Sequence, residues 1–517
     1  MSIAVRPGLR DLVATAALPE GAAPVWSWQR DGEETAFRSE RVPVEALAPG
    51  QSWTVRVSTG DRVGEATAVV PEPPGGNVVV VVLDDIGVDK LAAYGLDPGA
   101  VPPTPTLDAL AAEGVVFRQA YASPTCTPTR AQILTGRHGR RTGAGILIDM
   151  AHDDWELPLE ALTLAEAVSL APEPLVSVAL GKWHLAANAS VDALDHPVLQ
   201  GFSHFAGSPG YLVTGVDDPN RDGYFLWPKN TDGVVQTSDV YNTTDIADDL
   251  VAQFEALPEP FLLYVAFNAS HVPLHVPPAE LFTADLGEAP DEPAKFGAMT
   301  EAVDAELGRA LAALDPARRA RTTFVFIGDN GTLGTLMSPT FESGRGKGTP
   351  YESGIRVPLI VTGPLVAPEA RGARCDALVH AVDVFTTAAD IAGVPLGDEG
   401  SRAAVAGPSG RVVLDGASLL PFLADPSAPG RSLLYAESFT PNGPPPYAAD
   451  VQVLRDAEYK LVRAKAYTQL FRVPGPDALD EQEDLLAGLV DAETEAVRVR
   501  LEGELDRLSE EMVYEGH

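Results

Sequence analysis

Long apolar runs with no polar face set the pattern of the middle of this chain. Asn77–Leu83, Leu175–Leu180, Pro260–Phe267 and Thr322–Gly328 are nearly continuous in Val, Leu, Ile and aromatic residues. Strands buried on both faces read this way, as in a parallel sheet covered by helices. Between them, Thr106–Gly114 and Met299–Leu314 carry apolar residues at helical spacing, the first closed by Gly114. The two ends of the chain alternate instead. Val25–Gly32, Ser52–Ser58 and Ala66–Val70 are short, Trp-containing strand candidates bounded by Asp-Gly and Thr-Gly turns. Ser432–Glu437, Val451–Arg455 and Tyr459–Arg463 alternate as half-exposed antiparallel strands, and Ala492 to about Glu511 predicts an acidic amphipathic helix.

The pattern divides the chain into three. Residues 1–72 predict a small β-sandwich module, and Pro71–Gly76 is a linker. Residues 77–428 predict an α/β domain with a mixed, mostly parallel sheet sandwiched by helices. Residues 429–517 predict a C-terminal subdomain of antiparallel sheet plus helix. Each apolar run of the middle domain ends on polar residues: Asp84-Asp85, Gly181-Lys182-Trp183-His184, Asn268 with His271 and His275, and Asp329-Asn330-Gly331. Open α/β sheets bind ligands at that edge. One aspartate there is ordinarily a helix cap, and an isolated Asp-Asn-Gly is ordinarily a turn. Four such endings together point to a site.

The stretch Ala122–Arg137 adds the candidate nucleophile. It holds Cys126, one of only two cysteines, in a proline-punctuated turn that opens a helix, with Arg130 one turn on. A helix N-terminus favours anionic ligands. A lone Cys is ordinarily a buried structural residue, but that leaves Pro128, Arg130 and Thr135-Gly-Arg137 unaccounted for. The other cysteine, Cys375, then lacks a partner, so no disulfide framework is expected.

Cys126-Thr-Pro128-Thr-Arg130, followed by Leu134-Thr-Gly-Arg137, resembles the signature of the type I sulfatases of the alkaline-phosphatase-like superfamily. Thr127 stands where that family more often has Ser or Ala. Further matches follow at Asp84-Asp85, Gly181–Leu185, His271–Pro277, Asp329–Gly331 and Arg345–Pro358, and the likeness runs from residue 77 to near the C-terminus. The resemblance implies an arylsulfatase-like enzyme that hydrolyses a sulfate monoester. It implies oxidation of Cys126 to formylglycine by a formylglycine-generating enzyme, with the hydrated aldehyde as nucleophile. It implies one divalent cation, Ca²⁺ first and Mg²⁺ second, at Asp84, Asp85, Cys126, Asp329 and Asn330; oxygen donors of this kind suit a hard ion. Arg130, Lys182 and Lys347 would hold sulfate, His271 and Lys347 would give the leaving alkoxide its proton, and His184 would take the remaining hydroxyl proton. His275 is expected to be structural. The Asn330-Gly-Thr sequon is discounted as buried. The aromatic-rich stretch Gly201–Asp249, with Tyr211, Tyr224, Phe225, Trp227 and Tyr241, corresponds to a region that drapes over the pocket in that family, so each of these side chains reads either as a contact to the alcohol part of the substrate or as ordinary loop packing.

Charge narrows the partners. A net charge of −36 argues against nucleic acid. Only seven of the 37 basic residues are lysines, so the two at 182 and 347 read as chosen for a compact ammonium with a movable proton. The expected substrate is a sulfated small molecule or carbohydrate. Two other readings stand beside this one: a phosphonate or phosphodiester hydrolase of the same superfamily, and a catalytically silent binding or surface protein, which the filled motif positions oppose. No run reaches membrane-span length, and Met1–Arg6 lacks a signal-peptide pattern. The resemblance and the N-terminal module, similar to immunoglobulin-like modules of bacterial surface proteins, favour export through a signal outside this chain; a cytoplasmic protein is the alternative.

Overall fold

The structure, a computed structural model, describes residues 3–7, 11–16, 24–39, 41–43, 51–59, 62–69, 75–97, 101–212, 223–338, 340–399, 402–407, 410–473, 475–481 and 483–515. Most of the expected linker after residue 70, and residues 213–222 of the expected pocket cover, lie outside the described residues.

The apolar runs form the centre of a ten-stranded sheet. In spatial order its strands are Val234–Ser238, Trp227–Thr231, His204–Ser208, Val176–Lys182, Phe261–Ala266, Asn77–Leu83, Thr322–Gly328, Leu359–Thr362, Val115–Phe117 and Ala373–Cys375. The five from His204–Ser208 to Thr322–Gly328 are mutually parallel. Asn77–Leu83 shows why such a run carries no polar face. Val78, Val80 and Val82 enter one core with the helices Cys126–Thr135, Leu164–Ser169 and Val382–Ala392. Val79, Val81 and Leu83 enter the other with Pro105–Glu113, Asn242–Ala256 and Glu292–Ala313. Each fully buried valine contributes about 1.5 kcal/mol or more of transfer free energy, so a polar residue on either side is excluded. The terminal strand Val234–Ser238 differs, with four of its five residues exposed.

The helix expected to begin at Met299 begins at Glu292. Asp291 caps it by accepting from the Ala294 amide, and Pro293 fits its first turn. Its first turn is polar, and apolar spacing alone does not register it.

At the N-terminal end, Glu33–Glu34, Val25–Arg30, Ser52–Thr59 and Arg62–Val69 form one antiparallel sheet. Ile3–Pro7, Asp11–Ala16 and Arg41–Pro43 form a second. Trp26, Trp28, Trp53, Val55 and Val57 of the first pack with Ala14 and Val42 of the second. At the C-terminal end, Leu434–Thr440, Ala449–Arg455, Tyr459–Ala464 and Thr468–Arg472 make an antiparallel sheet. The helix Ala492–Glu511 covers it through Leu501 and Leu505. A further small sheet, Gly397–Glu399, Arg402–Gly407 and Gly410–Val413, was not foreseen; its Gly- and Ala-rich strands carry little alternation to read.

Candidate active site

The central parallel strands deliver their polar residues to one edge. Asp84 and Asp85 follow Asn77–Leu83, Asn268 and His271 follow Phe261–Ala266, and Asp329 and Asn330 follow Thr322–Gly328. Lys182 is the last residue of its strand. Two turns at this edge are left-handed at non-glycine residues, Asp85 (φ 62°) and His184 (φ 59°). Such backbone costs about 1–3 kcal/mol and clusters where side chains must be aimed. At His184 it turns the chain out of the extended course of the strand that ends at Lys182. Neighbouring strands also approach closely. Gly181 has φ 83°, and a Cβ there would lie 2.0 Å from the Ala266 oxygen.

Cys126 opens the buried helix Cys126–Thr135, which ends at left-handed Gly136. Its Sγ lies 3.7 Å from Asp84 Oδ1 and 3.4 Å from Lys347 Nζ. Lys347 arrives from the turn between Ser343–Arg345 and the short helix Glu352–Ile355. That turn is tied to the cysteine loop by the Gly348 amide donating to Pro124 O at 2.8 Å.

Each carboxylate has its own cation. Lys182 Nζ donates to Asp84 Oδ2 at 2.5 Å, and Lys347 Nζ donates to Asp85 Oδ1. Arg130 donates through Nε and Nη2 to Asp329 Oδ2 at 3.1 and 2.8 Å, and its Nη1 donates to Lys182 O at 2.8 Å. Burial works against ionisation of Asp85, but the Lys347 ammonium, with Lys182 behind it, outweighs burial and holds the carboxyl well below the usual range. Burial and the neighbouring Asp84 raise Asp329 despite Arg130. Lys347 is raised by Asp85 and its neighbours against burial, so it stays an ammonium. Burial pushes the Cys126 thiol up to about 12.

The two histidines are neutral. Burial, then Lys182, carry His184 well below its ordinary value, and they bring His271 down to about 3. His184 Nε2 lies 3.0 Å from Ile148 O, so that nitrogen bears the proton; Nδ1 is buried without a hydrogen-bond partner. His271 Nδ1 lies 2.8 Å from Val272 O, which leaves Nε2 without the proton.

The oxygen donors at this edge fit a hard cation. Asp84, Asp85, Cys126 and His271 each offer a ligand atom, all within 4.8 Å of one another. Asn330 donates its amide N–H to Asp85 Oδ1 at 2.8 Å, and its Oδ1 is buried with no partner. A buried carbonyl oxygen left in that state beside two carboxylates is what an oxygen-seeking dication satisfies. Asp329 adjoins the group, with Oδ1 3.3 Å from the Asp85 amide. His271 enters the cluster although the family resemblance implied for it only a place on the leaving-group side.

Other residues support the site, and the sequence carried no signal of the parts played by Thr127 and Thr332. Thr127 Oγ1 donates to His184 O and accepts from the Ile148 amide, both at 3.1 Å, and so holds both residues of the His184–Ile148 bond. Thr332 Oγ1 accepts from the Gly87 amide at 3.1 Å and donates to Asp89 Oδ1 at 2.7 Å, joining the loops after two strands. Of the five aromatics singled out, Tyr211 stacks on His271 and meets His184 edge-on, with centroids 5.9 and 5.6 Å away. Tyr224 OH lies 2.7 Å from Asn268 O and 2.8 Å from His271 O, steadying that loop. Trp227 and Tyr241 are buried and Phe225 is part-exposed; Phe225 and Tyr241 pack about His275. His275 Nδ1 donates to Pro273 O at 2.9 Å, which leaves Nε2 to accept from Tyr241 OH at 3.0 Å.

Comparison with known proteins gives a consistent result. The sulfatase family model matches residues 76–394. N-acetylgalactosamine-6-sulfatase of Canis lupus familiaris is 31% identical over 400 residues, covering 72% of this chain and 70% of that protein. Arylsulfatase A of Homo sapiens is 30% identical over 423 residues, covering 76% of each. Among solved structures, Ps i-CgsB in complex with k-i-k-neocarrahexaose superposes with a TM-score of 0.67 at 22% identity, covering 86% of this chain and 94% of that one. No helix among the described residues is long and apolar enough to cross a membrane.

Proposed function

We propose, for a chain that belongs to the sulfatase family and is a sulfuric ester hydrolase, that Cys126 is the position of its nucleophile and that the surrounding cations divide the work of holding sulfate and moving protons. The observation that carries this is the placement of Cys126 Sγ between Asp84 and Lys347, 3.7 and 3.4 Å away, at the edge where the strands end. Asp84, Asp85, Asp329 and Asn330, with His271 in reach, would hold a Ca²⁺ or Mg²⁺ that would neutralise oxygen charge, and formylglycine at position 126 would supply the attacking oxygen.

The chain's own groups do the rest. Arg130 is committed to Asp329 and Lys182 O, so it fixes the metal carboxylate and the strand end rather than swinging onto substrate. Lys182 is the sulfate anchor. Lys347, held as an ammonium, gives its proton to the departing alkoxide. His271 shares that task only after gaining a proton at Nε2, which burial first and then the Lys182 and Lys347 charges resist. His184 carries its proton on Nε2 and offers Nδ1 as the base that accepts the remaining hydroxyl proton.

The substrate class proposed is a sulfated carbohydrate. The names of the curated relatives support it, N-acetylgalactosamine-6-sulfatase first among them. So does the half-buried Tyr211 beside both histidines, because an aromatic ring at such a site is a surface on which a sugar can pack. The test combines peptide mass spectrometry of residue 126, from a host able to make formylglycine, with turnover of sulfated monosaccharides. An active preparation holding only the unmodified thiol overturns the assignment of position 126. Turnover of aryl phosphonates and phosphodiesters in preference to every sulfate ester overturns the substrate class.

A further inference from the structure

A second set of buried charges lies behind the Lys347 turn, and no step of the reaction uses it. Glu352, Lys460 and Glu481 have fully buried side chains. Lys460 Nζ, from the C-terminal sheet, lies 2.7 Å from Glu481 Oε1 and 3.2 Å from Glu352 Oε1. Tyr121 OH donates to Glu352 Oε2 at 2.7 Å, and Arg455 Nη1 lies 3.7 Å from it. Burial works against the Glu352 carboxylate, yet Lys460, Arg455 and Arg356 bring it down to about 2.

Glu481 touches both ends of the turn that carries Lys347. At the far end its Oε1 accepts the Glu352 amide at 2.7 Å. At the near end its backbone oxygen accepts from Arg345 Nη1 at 2.9 Å, and Arg345 Nη1 lies 3.5 Å from its Oε2. Arg345 O in turn accepts from Thr349 Oγ1 at 2.5 Å and Ser353 Oγ at 2.7 Å, closing the turn on itself. Just past it, Arg356 donates to Ala478 O at 2.7 Å and also to Pro476 O, so one segment before Glu481 grips the turn again.

Buried ion pairs are weak sources of stability; apolar groups of similar volume often serve as well or better. Charges placed at both ends of a catalytic turn therefore need another explanation, and geometry supplies one. We infer that Glu481, fixed by Lys460, is a positioning residue that clasps Arg345 and Glu352 and so sets where the Lys347 ammonium stands relative to position 126. The C-terminal subdomain thereby completes the active site without touching substrate. This rests on the proton-donating role proposed for Lys347.

The experiment compares Glu481→Gln and the pair Lys460→Met/Glu481→Leu with Lys347→Ala in the full-length, metal-loaded enzyme. Each is assayed on an activated aryl sulfate, which leaves without a proton, and on an unactivated alkyl sulfate, which needs one. The expected result for the pair is an unfolding midpoint close to the parent's, an unchanged KM, and a kcat loss of about tenfold or more on the alkyl ester that shrinks several-fold on the aryl ester. Lys347→Ala should show the same leaving-group dependence, larger. Equal losses on both esters, or none, while Lys347→Ala keeps its dependence, would overturn the clasp and leave the Lys347 assignment standing. A Lys347→Ala variant without leaving-group dependence removes that assignment, and the clasp with it. If the pair fails to fold, Glu481→Gln, which keeps shape and loses charge, gives the same comparison, with uniform or absent loss overturning the inference.

Discussion

Two clusters of buried charge face opposite sides of the Lys347 turn, and they differ in a way their composition hides. At the strand ends, Asp84, Asp85 and Asp329 are matched by Lys182, Lys347 and Arg130. Behind the turn, Glu352 and Glu481 are matched by Lys460, Arg455 and Arg345. Both are buried, and each holds one carboxylate, Asp85 in the first and Glu352 in the second, well below its ordinary range. The first, however, leaves Asn330 Oδ1 and His184 Nδ1 without partners and holds Asp85 and His184 in left-handed backbone. The second sits on ordinary strand, turn and short-helix backbone, and its one unbonded atom, Glu481 Oε2, still faces Arg345 at 3.5 Å. Buried charge alone therefore does not mark a reacting centre. Unspent hydrogen-bonding capacity together with costly backbone does.

The sharpest way to break this contrast is at position 126. Cys126→Ala should lower turnover by about four orders of magnitude or more while leaving the unfolding midpoint nearly unchanged, because one small buried side chain replaces another. A variant that unfolds, or one that keeps substantial activity, would place Cys126 with the structural cluster instead.

Metal comes next. Chelation should inactivate the enzyme, and Asp329→Ala should reduce bound Ca²⁺ or Mg²⁺ in elemental analysis and turnover by about three orders of magnitude. Activity persisting in metal-free protein would mean that the open Asn330 oxygen does not signal a cation.

The two active-site lysines sharpen the picture within the first cluster. An arginine supplies charge but does not release a proton, its pKa lying above ~12. Lys347→Arg should lose about a hundredfold on a poor leaving alcohol and recover partly on an activated aryl sulfate. Lys182→Arg should lose similarly on both. Matching leaving-group profiles for the two would collapse the division between anchor and proton donor.

The smallest effect belongs to the second cluster and to acid. Glu352 is brought from 4.5 in the unfolded chain down to about 2. A depressed carboxylate contributes stability that is fully present above the unfolded value and is lost as pH falls through the folded one. Between pH 4.5 and about 2 the unfolding midpoint should therefore fall, and Glu352→Gln should flatten that part of the profile. Equal slopes for parent and variant would show that the second cluster does not hold its charge through folding.

What the chain disclosed before folding follows the same divide. The strand ends were legible because each couples a two-faced apolar run to polar residues directly after it, as at Leu83-Asp84-Asp85 and Gly328-Asp329-Asn330. Cys126 and Lys347 were legible through dense local motifs. The partnership of Glu352 with Lys460 and Glu481 was not, since it joins residues 108 and 129 positions apart whose spacing carries no signal. Thr127 was noticed only as an unusual residue in its motif, yet its hydroxyl is what connects the cysteine helix to His184. The left-handed turn at His184 also escaped notice, because Trp183-His184-Leu185 contains nothing that ordinarily requests it.

The sheet's exposed terminal strand, Val234–Ser238, bears on how the protein behaves in crowded solution. Val234 and Val235 are 59% and 45% exposed on a strand with a neighbour on only one side among the described strands. Such a margin is a place where a second molecule can dock strand to strand. Against it stands a net charge of −36, which keeps copies apart as long as their fields reach one another. At about 0.15 M salt that reach is only ~8 Å. Colloidal stability should therefore decline with ionic strength before the fold itself is disturbed, and light scattering across a salt series should register aggregation where circular dichroism registers nothing.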